Sequence, residues 1–211
     1  MNLKLKKWSY PFIKSSDSNR SLMIDMIISL VPLYFMASWY YGMRASMLCL
    51  ISLITATASD GICTLIAGKK INIRDYSPIV TALILPLIMP ANIPYYVLIT
   101  AVLFAIVVAK HPFGGSGQNI FNPAAAGFAF ATICWPQQIF SYPVPLEKLN
   151  LTSQTIVKLA ENPAYSLKAD TLSQFDFSDM LLGAFAGPMG ATSILLIISC
   201  KSSSFTTSIN D

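Results

Sequence analysis

Six apolar runs, separated by short polar or proline-bearing joints, decide what this chain can fold into. They occupy residues 22–42, 45–68, 77–90, 93–110, 121–136 and 180–200. A helix needs about 20 apolar residues to cross the hydrocarbon core of a bilayer. The first, second, fourth and sixth runs approach or reach that length. The third and fifth, about 14 residues each, do not. Pro78, Pro86 and Pro90 break the third run, and Pro123 and Gly127 interrupt the fifth. Charged residues make up 11% of the chain and hydrophobic residues 54%, with a mean hydropathy of +0.58. Soluble domains carry roughly 25% charge, so this chain lacks the solvated side chains needed to coat a globule. The pattern predicts an all-α polytopic membrane protein of about six hydrophobic segments, two of them short and Pro/Gly-broken, seated in a lipid bilayer.

Charge distribution sets the orientation. Lys4, Lys6, Lys7, Lys14 and Arg20 crowd ahead of the first run, and Lys69, Lys70 and Arg74 follow the second. Two basic segments separated by two crossings place the N-terminus on the cytoplasmic side of a bacterial cytoplasmic membrane. The basic region is too long for a signal peptide, and no small-residue cleavage site follows the first run. No basic stripe continues elsewhere, which argues against a nucleic-acid partner. The organisation read from these features is a basic N-terminus over 1–20, membrane helices over 21–136, a polar outer segment over 137–178, a last membrane helix over 179–200 and a polar tail over 201–211. Trp39, Tyr40 and Tyr41 close the first run as an interfacial aromatic belt.

Short, broken segments at membrane depth are tolerated only where protein surrounds them, and in transporter-like folds they point to a binding site. The stretch "HPFGGSGQNIFNPAAAG" (111–127) leads into the second of them, with a glycine-rich loop over 111–122. Asn122 before Pro123 is a helix start, an N-cap followed by proline at the first helical position. Amides there, at the positive end of a helix, suit an anionic group such as a phosphate. Gly114, Gly115, Gly117, Gln118, Asn119 and Asn122 are therefore the candidate ligand-binding residues. His111 borders the loop behind Lys110, as a solvated loop residue or one facing a phosphate.

Carboxylates inside apolar runs are functional candidates by default. Asp25 is placed in the first turn of its helix, where it complements the dipole. Asp60, followed by Gly61, is either an ion-handling group or a hydrogen-bonding one between helices. Asp75, ahead of Ser77-Pro78, reads as a helix N-cap region or a cation ligand at the cytoplasmic face. Asp60 and Asp75 are the candidate ion pathway. Cys49, Cys63, Cys134 and Cys200 form no CxxC pair and read as small packing residues, with ligation across helices as the alternative. No Ser/His/Asp set, HExxH or phosphate-binding Walker loop is present, so neither a catalytic residue nor a metal site is assigned.

The string "FGGSGQNIFNPAAAGFAF", with "DYSPIVTALILPLIMPANIPYY" and "MLLGAFAGPMGATSILLI", closely resembles the D-type membrane protein of Rnf-type ion-translocating electron transport complexes (the RnfD family). The B-type membrane protein of the sodium-translocating NADH:quinone reductase is a related family. The resemblance covers roughly residues 20–200. It implies one half or more of an inverted-repeat, urea-channel-like fold and other membrane subunits as partners. It also implies a flavoprotein that passes electrons through FMN, or riboflavin, while the complex acts as a Na⁺ or H⁺ translocase. FMN in the family is often esterified to a threonine. Here "AENPAYSLKAD" carries Asn162 where that threonine would stand before Pro163, and asparagine has no hydroxyl to esterify. Thr192 in "MGAT" is the covalent candidate that remains, with a role in capping the break at Gly187-Pro188 as its alternative. Family members usually continue for several more helices, so the tail over 201–211 reads as derived from truncation. A channel or small-solute transporter of the same fold, and a truncated non-functional fragment, are the competing readings.

The orientation is testable. A cysteine placed near Lys7 should resist membrane-impermeant reagents in intact cells, and one near Lys148 should be labelled. The reverse pattern would invert the topology.

Overall fold

The computed structural model describes residues 19–68, 75–113, 119–144, 149 and 186–191. Most of the basic N-terminus, the 69–74 joint, most of the outer segment, most of the sixth run and the tail lie outside the described residues. Within them the chain is helical, with no strand: α1 (Asn19–Tyr41), α2 (Met43–Ile66), α3 (Ser77–Leu87), α4 (Tyr95–Leu103), α5 (Pro123–Cys134) and the short α6 (Pro136–Ile139). A π-helical turn, Phe104–Lys110, and a 3-10 turn, His111–Phe113, continue α4.

Three helical stretches are long and apolar enough to cross a membrane: Arg20–Tyr41, Met43–Ile66 and Tyr95–Phe113. Ser77–Leu87 and Pro123–Cys134 are apolar but short, at about 16 and 18 Å against a hydrocarbon core of about 30 Å. The five runs expected over 22–136 all appear, and the two expected to be too short are the two that are.

Burial divides them. The outer face of α1 carries exposed Ile28, Val31, Phe35 and Trp39, and that of α2 exposed Met43, Leu50, Ile54 and Ile62. In α3, by contrast, Val80, Ala82, Leu83, Leu85 and Leu87 are all buried. α3 is thus wrapped by protein, while α1 and α2 take the periphery. This is what a non-spanning segment requires, since its ends cannot face lipid.

Prolines make this requirement acute. Pro86 in the last turn of α3 has no N–H to give the carbonyl of Ala82, four residues earlier. The Ser52 hydroxyl of α2 donates to that oxygen instead, at 2.7 Å. One residue on, the Tyr34 hydroxyl of α1 donates to the Leu83 carbonyl at 2.6 Å. The turn between α3 and α4, bracketed by Pro90 and Pro94, leaves three more carbonyls unclaimed. Arg44, 2% exposed, reaches them: Nε donates to Ala91 O at 3.0 Å, and Nη2 to Asn92 O and Ile93 O at 3.3 and 3.2 Å. Its guanidinium also lies 5.3 Å from the centre of the Tyr95 ring. Hydroxyls and a guanidinium from full-length helices thereby replace the hydrogen bonds that the broken helix lacks.

Close approach governs α5. A Cβ on Gly127 would sit 2.6 Å from the Ala101 carbonyl oxygen and 2.7 Å from Leu85 Cδ1. Only glycine lets α5 pack this tightly on α3 and α4. Gly42, at φ 73 and ψ −159, turns the chain between α1 and α2 in a region open essentially to glycine alone.

Two local expectations change. The first helix begins at Asn19, with no acidic residue in its first turn, so Asp25 lies a turn further in than the apolar run suggested. Of the aromatic trio, only Trp39 faces outward. Tyr40 and Tyr41 are buried, because the tight Gly42 turn folds that end of α1 onto α2. Cys49 and Cys63 are half-buried, Cys134 is exposed, and none of the three is in a disulfide.

Two matched pairs of substitutions test this account. Ser52→Ala strands the Ala82 carbonyl and should cost about 1–3 kcal/mol. Ser59→Ala removes an equally buried hydroxyl that bonds only within its own helix, to Ala56 O, and should cost well under half as much. Gly127→Ala should destabilise by about 1–3 kcal/mol through overpacking. Gly61→Ala, whose added Cβ meets nothing within 4 Å, should not. Thermal unfolding in one detergent reads all four, and equal losses within either pair would refute its explanation.

Candidate functional site

The carboxylates singled out from the sequence meet at one end of the helices. Asp60 stands two turns before the end of α2, and Asp75 just ahead of α3. Between them lies Lys110, the last residue of the π-turn. Its ammonium is 2.9 Å from Asp60 Oδ1 and 3.3 Å from Asp75 Oδ2. The Lys110 side chain is 2% exposed, and those of Asp60 and Asp75 are 21% and 25% exposed. His111 Nε2 lies 3.0 Å from the same Asp60 oxygen. An ionised carboxylate only accepts hydrogen bonds, so Nε2 carries the proton in this contact.

Asp75 has a second task. Its Oδ1 accepts the backbone N–H of Ser77 at 3.0 Å, which satisfies an amide at the start of α3 while Oδ2 faces the lysine. Asp75 thus supports the start of α3 and pairs with Lys110 at the same time. Nearby, Arg20 at the start of α1 donates to the Tyr76 hydroxyl at 3.3 Å and lies over its ring. The beginnings of α1 and α3, the end of α2 and the end of the fourth helical stretch thus share one end of the bundle. Arg44 and the 88–94 turn form a second polar knot about 24 Å away along α2. Among the described residues no group of three or more His, Cys, Asp or Glu could hold a metal ion.

The loop that begins beyond Phe113 leads to α5. Gly114, Gly115, Gly117 and Gln118 lie outside the described residues, as do Asn162 and Thr192. Asn119 and Asn122 are described. Asn122 caps α5, its Oδ1 accepting the Ala124 N–H at 3.1 Å, as the Asn-Pro pair predicts. Pro123 has no N–H, and the Ala126 amide bonds the Asn122 carbonyl at 3.0 Å. The first turn of α5 therefore offers an anion few backbone amides. With Oδ1 committed, what exposed Asn122 can present to a ligand is its Nδ2 hydrogens.

Two functional-looking residues are not evident from the sequence. Lys110 reads there as the basic flank of an apolar run, and Arg44 as part of a joint. The signal that points to Lys110 is the pairing of one lysine with Asp60, stranded in apolar sequence, and with Asp75 at the start of α3. The 50 residues between Lys110 and Asp60 hide that pairing until the helices pack.

Comparison with known proteins places this arrangement. A model of the NQR2, RnfD, RnfE family matches residues 7–203. The chain is 31% identical over 195 residues to the D component of the Na⁺-translocating ferredoxin:NAD⁺ oxidoreductase complex of Acetobacterium woodii, covering 92% of this chain and 61% of that one. It is 28% identical over 198 residues to the D component of the proton-translocating ferredoxin:NAD⁺ oxidoreductase complex of Clostridium ljungdahlii, covering 90% and 59%. The D component of the ion-translocating oxidoreductase complex of Aeromonas hydrophila is 31% identical over 139 residues, covering 65% and 40%. The chain thus spans about three-fifths or less of the length of these relatives. Apolar helices wrapped around a broken one, a glycine-rich loop opening onto a capped short helix, and a match over nearly the whole chain lead to one conclusion: this multi-pass membrane protein belongs to the NQR2, RnfD, RnfE family.

Proposed function

We propose that the chain serves as the D-type membrane component of an ion-translocating oxidoreductase complex, in a bacterial cytoplasmic membrane with its N-terminus inside. In this reading it works beside other membrane subunits and takes part in electron transfer coupled to movement of Na⁺ or H⁺. The observation that carries the reading is the family match over residues 7–203. The relatives' names speak for both ions, so the ion itself stays open. Asp60 and Asp75 are the proposed ion-pathway residues. In this structure their charges face Lys110, so a mobile cation would meet carboxylates that already hold an ammonium.

A flavin, FMN or riboflavin, is the proposed cofactor, and it would supply one- and two-electron transfer. The described residues fit it in part. Asn122 can donate from Nδ2 to an anionic group, whereas the α5 amides are mostly committed. Gly114, Gly115, Gly117, Gln118 and Asn119 would line the rest of the loop. The chain's own contribution is position and electrostatics: a capped helix start, and a loop flanked by a charge-paired helix end. Thr192 is the one proposed covalent site, set against Asn162, which has no hydroxyl.

Affinity purification from native membranes should bring down partner membrane subunits together with flavin. Absence of both would defeat the reading. The flavin should leave with unfolding, so the denatured chain on a gel under ultraviolet light should show no fluorescent band. A band lost in Thr192→Val but kept in Thr152→Val and Thr155→Val would instead make Thr192 the attachment site. A band lost in Thr152→Val or Thr155→Val would move it to the outer segment.

A further inference from the structure

We infer that the Asp25 face of α1 docks a transmembrane helix of another membrane subunit, one that brings a lysine or arginine to the Asp25 carboxylate. Which protein supplies that helix rests on the reading of this chain as one component of a complex; the surface itself does not. Of the three stretches long enough to cross a membrane, Arg20–Tyr41 is the least enclosed. No residue over 20–36 is buried, and Ala37 is the first that is. The polar ties of α1 to the other helices lie towards its two ends. Arg20 bonds the Tyr76 hydroxyl at one, and Tyr34 and Ser38 bond Leu83 O and Ser46 towards the other. Leucine, isoleucine and phenylalanine between them sit well against lipid. Asp25 does not.

Asp25 stands about 7.5 Å along the helix axis from Arg20, where the apolar stretch begins. An ionised carboxylate only accepts hydrogen bonds, and ionisable groups at membrane depth ordinarily face protein and pair there. Among the described residues Asp25 has no hydrogen-bond or ion-pair partner. The donors nearest to it on its own helix are spent: Arg20 on Tyr76, and the Ser29 hydroxyl on Met26 O. Its single methylene is too short to carry the charge back to the headgroups, as a lysine stem carries an ammonium. A second unmet acceptor lies a turn away. Pro32 has no N–H for the Ile28 carbonyl, and no described side chain donates to that oxygen. The comparable gap at Ala82 is filled by Ser52.

Both acceptors belong to a seam. Ser21, Asp25, Ile28, Pro32, Phe35 and Trp39 follow one another at steps of four, three, four, three and four, the spacing at which one helix packs along another. Asp25 and Pro32 are half-buried, and the other four are exposed. Acceptors without donors select a cationic donor, and the apolar positions that follow select an apolar helix to carry it. Polar side chains bond across helices in membranes for the same reason, since lipid offers them nothing. A second copy of this chain does not fit. Two copies of one orientation, packed symmetrically about this seam, would set Asp25 against Asp25 at the same depth, and like charges in a medium of low dielectric repel.

The test uses the full chain in native membranes. A photoreactive benzophenone side chain replaces Ile28 or, separately, Ile54 on the exposed face of α2, and the irradiated products are identified by mass spectrometry. Position 28 should join an apolar peptide of another membrane subunit, with a lysine or arginine within about one turn of the attachment point. Asp25→Asn keeps the shape and removes the charge, and should cut that product about fivefold; Asp25→Glu should hold it within about twofold. The products at position 54 should change with neither. Products at position 28 formed only with lipid, with a second copy of this chain or with its own N-terminal segment would overturn the inference. So would a yield indifferent to Asp25→Asn, and so would an equal fall at position 54, which marks general loosening. Partner subunits that co-purify while position 28 finds only lipid would remove this inference and leave the functional reading standing. A basic, apolar peptide from a protein outside any oxidoreductase complex would do the reverse.

Discussion

A backbone carbonyl without a donor, in surroundings that hold no water, is the constraint on which this structure turns. Each such group costs several kcal/mol in hydrocarbon. The chain creates them itself: Pro86 silences the natural donor to Ala82 O, and Pro90 and Pro94 bracket a turn with three open acceptors. Ser52 and Arg44 answer them, and Tyr34 adds a bond to the neighbouring Leu83 carbonyl. Because those donors sit on α1 and α2, they tie the two peripheral helices to α3 and to the turn that follows it. The polar repairs thus specify the packing, and the apolar contacts of α3 complete it.

The opposite end of the bundle solves a different problem with similar means. Two carboxylates would be costly there if left to themselves, and an isolated lysine more so. Brought together they compensate one another, and Asp75 uses its second oxygen to start a helix. Helix ends that would otherwise fray are joined at one point. The glycine-rich sequence begins four residues beyond Lys110.

These two knots make the broken helix useful. A short helix with satisfied ends can stop at membrane depth without exposing backbone to lipid. Membership of the NQR2, RnfD, RnfE family places that design in a multi-pass membrane protein.

Much of this was legible in one dimension. Apolar run lengths identify the spanning helices and pick out the two that fall short, because a bilayer imposes a fixed length on any helix that crosses it. Asn122-Pro123 announces the start of α5, because capping and the proline φ are local matters settled by neighbours in sequence. What Lys110 and Arg44 do was not legible. Lys110 finds Asp60 across 50 positions and Asp75 across 35, and Arg44 finds its carbonyls across 47 to 49. No periodicity encodes such distances. The inward turn of Tyr40 and Tyr41 was hidden for the same reason, since which face of a helix meets lipid depends on where its neighbours lie. The sequence by itself determined which segments become helices and where they break, through length, hydropathy and proline. Only the tertiary structure decided which buried polar group answers which, because that pairing exists only once the helices are side by side.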